Sequence, residues 1–166
     1  MTNALTHVPP PTRGEHPETA FPAGPGLELM RSIQRGETAP IPAARFLNVR
    51  ITRVAAGTIW FEFIPDSNHA NPVNVLDGIL SAVANLAAAA AAMTVVPAGA
   101  TVSSTDLHVS FLRDLPVTAD AAQVVASVVH LGPTQVNCNV SMTGPDGRSI
   151  LLASSTARIV GQGSAR

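Results

Sequence analysis

A chain of 166 residues is the length of one domain, and 46% hydrophobic residues supply enough apolar surface for a sizeable core. The formal net charge of -1 leaves no strong field to draw in nucleic acid or a membrane, and 4% aromatics without a tyrosine argue against a base-stacking platform. The single cysteine, Cys138, excludes an internal disulfide and fits a reducing cytoplasm.

Residues 1–25 carry Pro9, Pro10, Pro11, Pro17, Pro22 and Pro25 among scattered hydrophobics, which predicts an irregular segment. No apolar run there suits a signal peptide. Gly26 to Arg35 reads as a short amphipathic helix with Leu27, Met30 and Ile33 on one face, ended by Gly36. Pro40 to Leu47 predicts a second helical turn, with Phe46 and Leu47 reaching the core. From Val49 a strand alternates until Arg53-Val54, where the alternation loosens. Ala56-Gly57 is a turn and Thr58 to Ile64 a second strand, so the two form a hairpin. Asp66 to Asn74 reads as a mostly polar loop.

The stretch from Leu76 to Val96 follows, with an unbroken alanine run from Ala87 to Ala92. Its composition favours helix, and a helix so apolar all round must be buried. It is not read as a membrane span: alanine carries little transfer energy, Asn85 interrupts the run and no basic cluster flanks it. Small side chains instead let strands pass close to the helix axis, and Pro97 and Gly99 end it. Asp77-Gly78 at its first turn should face a cleft, with Asn85 about two turns further in.

Further strands are predicted over Thr101 to Leu112, Ala119 to Leu131, Gln135 to Thr143 and Ser149 to Val160, broken by Gly132-Pro133 and Pro145-Asp146-Gly147. The tail after Gly161 is expected to fray. Two strands, one long helix and four strands make an α+β chain, with an antiparallel sheet curved around the helix.

Three stretches then carry a resemblance to the hotdog-fold acyl-CoA thioesterases of the PaaI-like (phenylacetate-type) family, over roughly residues 26–160. His69-Ala70-Asn71-Pro72 and Val75-Leu76-Asp77-Gly78-Ile79-Leu80-Ser81 resemble the family's Asn-Pro loop and the His-Gly-Gly that opens its helix. Ser103-Ser104-Thr105-Asp106 through Phe111-Leu112-Arg113 resembles its threonine-led strand ending in Phe-Leu-Arg-Pro. Gly144-Pro145-Asp146-Gly147-Arg148 resembles its last hairpin. The resemblance implies a hotdog domain over 26–160 that forms a homodimer or homotetramer. It implies an acyl-CoA or related thioester bound at the dimer interface, no cofactor, and a thioester carbonyl polarised by the helix N-terminus.

The motif departs from the family at its polar positions. Aligned with Gly78 as the second glycine, Leu76 replaces the histidine, Asp77 the first glycine, and Asn85 the helix carboxylate. Aligned without a gap, Asp77 replaces the histidine and Leu86 falls at the carboxylate position. The first alignment explains Ile79-Leu80-Ser81-Ala82 and Asn85 better. It makes Asn85, Asp77 and Gly78 the candidate catalytic residues, with Asn71, Leu76, Ser103 and Ser104 as substrate contacts. Asn85 can orient water but is no general base. Asp77 can equally be a first-turn dipole partner, and His69 a solvated loop residue. The arginines that the family carries near its fourth interstrand turn are absent from Leu131-Gly132-Pro133-Thr134, leaving Arg113 and Arg148. His108 and His130 lack metal-ligand spacing. A thioester hydrolase is the expected function. The alternatives are a hotdog that binds an acyl or other apolar ligand without catalysis, and a dehydratase-type hotdog, for which the catalytic histidine is missing.

Overall fold

The computed structural model describes residues 24–161. Apart from Gly24, Pro25 and Gly161, the segments expected to be loose lie outside the described residues. Two short helices come first, α1 (Gly26–Gln34) and α2 (Pro42–Phe46). The hairpin β1 (Val49–Ala55) and β2 (Thr58–Phe63) follows. Between it and the long helix lies a 3-10 turn, Ser67–His69, and a miniature hairpin of β3 (Ala70–Asn71) and β4 (Asn74–Val75). The expected polar loop is therefore structured. Asp66 and His69 form a reciprocal capping box around the 3-10 turn, which satisfies backbone groups that a loop would leave to water.

The long helix α3 runs from Asp77–Met93, and β5 (Ala100–Phe111), β6 (Ala122–Leu131), β7 (Gln135–Thr143) and β8 (Ser149–Gly161) complete the chain. One antiparallel sheet has the order β1-β2-β6-β7-β8-β5. It curves around α3, which packs against β2, β5, β6, β7 and β8. The alternation of β6 explains this: Ala122, Val124, Ala126 and Val128 point to the helix and are buried. Ala84, Ala87 and Ala91 of α3 are fully covered. Alanine has no rotamer freedom to lose on burial, and its size lets the sheet close on the helix.

The helix ends earlier than Pro97 would require. The buried Thr94 hydroxyl donates to the Ala91 carbonyl oxygen at 2.6 Å and accepts from the Gly57 N–H at 2.8 Å. The Val95 N–H donates back to the Ala92 carbonyl oxygen, tightening the last turn toward 3-10 geometry. Strand β6 likewise starts at Ala122 instead of Ala119, because the Ala119 N–H closes a turn on the Pro116 carbonyl oxygen. Leu47 is buried as expected, whereas Phe46 is 65% exposed and lies outside the core.

Both edge strands of the sheet carry a bulge. In β1 the pairing with β2 skips Thr52, where the sequence alternation loosens, and the Thr52 carbonyl oxygen accepts from Gln34 Nε2 at 2.7 Å. In β5 the pairing with β8 skips Thr105, whose hydroxyl donates to the Thr156 carbonyl oxygen at 3.1 Å.

Candidate active site

The first turn of α3 is built without a cap. Leu76 occupies the N-cap position in an extended conformation and is 45% exposed, and no side chain caps the helix. The backbone N–H groups of Asp77 and Gly78 thus have no intrahelical partner and lie at the positive end of the helix dipole. Asp77 is exposed in this first turn, and its carbonyl oxygen accepts from Ser81 Oγ at 2.9 Å. Gly78 is exposed too. A Cβ placed there would meet nothing nearer than the Leu76 side chain at 3.9 Å.

Gly78 and Asn85 lie two turns apart on the same face of α3. Together with Ala82 and Ala89 they form the stripe of this helix that the sheet leaves open. Asn85 is half-buried, and its amide has no hydrogen-bond partner among the described residues. Leu86, next to it, turns instead toward an apolar cleft.

The remaining predicted contacts lie on other elements. Asn71 is exposed at the tip of the β3–β4 hairpin. Ser103 and Ser104 are exposed on β5, an edge strand packed along α3. Alternation puts Ser104 on the face of the half-buried Val102, and the bulge at Thr105 returns Leu107 to that face.

Beyond Asn85 the stripe continues into a cleft of about 400 Å³ between α1, α2, β1, α3 and β5. Met30 and Ile33 of α1 face Leu86, Ala89 and Met93 of α3 across it. The sequence reading placed Met30 and Ile33 on one helix face but did not assign them to a site. The apolar spacing of Leu86, Ala89 and Met93, three and then four residues apart, was the available signal.

Other candidate groups are committed elsewhere. His69 is 1% exposed, not solvated: its Nδ1 accepts from the Asp66 N–H at 3.1 Å, and its ring lies 5.4 Å from that of Phe63. Arg113 Nη1 and Arg148 Nε lie 3.3 and 3.9 Å from the Asp146 carboxylate in the β7–β8 turn. The Arg148 N–H, followed by the Arg113 guanidinium, holds that carboxyl below the usual carboxylate range. Cys138 is buried, and burial pushes its thiol up to about 12. Among the described residues no group of three His, Cys, Asp or Glu side chains is placed to hold a metal ion, and no helix is long and apolar enough to cross a membrane.

No family model matches the chain, and no curated protein matches it in sequence. Solved structures do match its fold. A thioesterase from Haemophilus influenzae has a TM-score of 0.72 at 14% identity, over 82% of this chain and 94% of that one. The PaaI protein from the phenylacetic acid degradation operon of E. coli has a TM-score of 0.71 at 15% identity, over 81% and 96%. A phenylacetic acid degradation-related protein from Ralstonia eutropha has a TM-score of 0.69 at 27% identity, over 78% and 98%. The chain has the hotdog fold of these proteins, and its resemblance to PaaI-like thioesterases extends from its motifs to its structure.

Proposed function

We propose that this chain hydrolyses an acyl thioester, an acyl-CoA or a close relative, at an interface between two copies of itself. One observation carries the reading. Glycine within a helix costs about 1 kcal/mol relative to alanine, yet only the Leu76 side chain, 3.9 Å from where a Cβ would stand, borders the space beside Gly78. An uncapped helix N-terminus with an open glycine lets an external group come close to free N–H donors. A thioester carbonyl oxygen is such a group, and it gains negative charge as water adds to its carbon.

Asn85 lies two turns along the same open stripe, about 10 Å from Gly78 and too far to serve that helix N-terminus itself, so the amide that holds the attacking water there is Asn85 of the second copy. It cannot take the proton from that water, so the exposed Asp77 carboxylate is the nearest candidate base in the motif. Leu76, Asn71, Ser103 and Ser104 supply contacts from the rim. The unpaired edge of β5 beside the stripe is the surface on which a second copy adds, as a dimer or a tetramer, and it brings two sets of rim residues together. The cytoplasmic assignment rests on the composition, with its single cysteine.

A second reading is that the same site binds an acyl ligand without turning it over. The absence of a general base at position 85 favours it, as does the engagement of Arg113 and Arg148 by Asp146. Incubating pure protein with short, medium, long and aromatic acyl-CoAs, and following free thiol, separates the two. Thiol release above buffer establishes the hydrolase. Silence across the panel, with the same acyl-CoAs bound, establishes the binding protein.

A further inference from the structure

We infer that the cleft beyond Asn85 is an acyl chamber that selects an unsubstituted aliphatic chain of about ten carbons. This deepens the thioester reading and rests on it for the position of the carbonyl. The cleft, at about 400 Å³, is in the size range of small-molecule sites. It lies on the open stripe of α3, because Ala89, one turn after Asn85, lines it. From Asn85 to Met93 the helix advances about 12 Å. A zigzag chain of carbon–carbon bonds of ~1.5 Å advances about 1.25 Å per carbon, so about ten carbons fill that distance.

The polar side chains in the wall set the chemistry. Gln34, Arg50 and Thr101 line the cleft, and each is already engaged. Gln34 Nε2 donates to the Thr52 carbonyl oxygen at 2.7 Å. Arg50 donates to the Glu62 carboxylate, whose second oxygen accepts from Gln123. The Thr101 hydroxyl faces Met93 Sδ at 3.9 Å. A hydroxyl or a charge deep in the chamber would leave water for a wall that is mostly apolar, whereas methylenes find Met30, Ile33, Leu86 and Met93. The two methionines are flexible enough to close around a chain.

The test uses non-hydrolysable S-alkyl-CoA thioethers, butyl through tetradecyl, titrated into the full chain by calorimetry. Affinity should rise about fourfold per methylene to decyl and then level off. An ω-hydroxydecyl thioether should bind at least about tenfold more weakly than decyl. Ala89→Phe, which puts a ring into the cleft, should collapse the decyl-to-butyl affinity ratio. Ile41→Trp at the mouth, where Ile41 is 53% exposed and bulk is tolerated, should lower the same ratio if the first variant does not fold. Equal affinities of decyl and butyl thioethers for the native protein overturn the chamber, as does a ratio untouched in a folded Ala89→Phe. The thioethers report binding alone. A normal chain-length series without turnover of decanoyl-CoA therefore sinks the hydrolase and keeps the chamber. Turnover with a flat series does the reverse.

Discussion

His69 Nε2 donates to the Phe46 carbonyl oxygen at 3.2 Å, which fastens the loop before the long helix to the end of α2. The proton belongs on Nε2 because Nδ1 accepts from the Asp66 N–H. One buried ring thus satisfies the Asp66 donor and an acceptor 23 residues before the histidine in the chain. Replacing it with alanine removes both bonds and leaves a cavity beside Phe63. His69→Ala should cost about 2–4 kcal/mol, read as a lower urea midpoint. A midpoint equal to the parent's would show that this junction contributes nothing.

Gly78→Ala separates the helix from the site. The protomer has room for the methyl group, so the substitution should stabilise the fold by about 1 kcal/mol. The same methyl would stand where a thioester must approach the free N–H groups, and thiol release should drop tenfold or more. A variant both more stable and fully active would remove Gly78 from the site.

Asn85→Ala should lower kcat about a hundredfold with little change in KM, the loss typical of one positioned polar group acting in the transition state. Asn85→Asp places a carboxylate on the open stripe and should restore or exceed the parental rate. Unchanged release in the alanine variant would move the chemistry to Asp77.

Thr94→Val keeps the shape of the side chain but abandons the Gly57 N–H and the Ala91 carbonyl oxygen in the interior. The expected cost is about 1–3 kcal/mol. Thermal melts of parent and variant decide it, since a shift within error would mean that water replaces the hydroxyl.

Cys138 gives an alkaline signature. Its Sγ–H points to the Ala88 carbonyl oxygen at 3.5 Å, and burial pushes the thiol up to about 12. In the unfolded chain it titrates near roughly 8.5. Between those values the folded chain keeps a proton that the unfolded chain has lost. The stability present at lower pH therefore falls as pH rises, by about 1.4 kcal/mol per unit. Cys138→Ala should remove that fall, which denaturation midpoints measured at increasing alkaline pH would record. Parallel slopes for parent and variant would refute it.

What could be read in advance follows from where the information sits. Strand alternation and the alanine run are local patterns, so β1, β2, β5 to β8 and α3 were legible, down to the loosened alternation at the Thr52 bulge, whereas the two-residue strands β3 and β4 are too short to alternate and read as a loop. The one-face spacing of Gly78 and Asn85 is equally local. His69 was misjudged because its partners, the Asp66 N–H and the Phe46 carbonyl, are backbone groups that no side-chain pattern announces. Phe46 was placed in the core because its apolarity says nothing of which way α2 would turn. The early stop at Thr94 depends on Gly57, on a distant hairpin. The cleft has walls from α1, α2, β1, α3 and β5, and only their assembly shows that Met30 and Met93 share one cavity.

The displaced residues in β1 and β5 also bear on the fate of the protein at high concentration. An open sheet offers two rows of unpaired backbone groups, one at each end, and either can template endless strand addition. Here each terminal strand has one residue out of register, at Thr52 and at Thr105. The irregularity breaks the flat, uniform ladder that a growing fibril needs, while the intact stretches of β5 on either side can still meet one finite neighbour. The chain can thus keep a sticky edge for a single companion and remain a poor seed for amyloid.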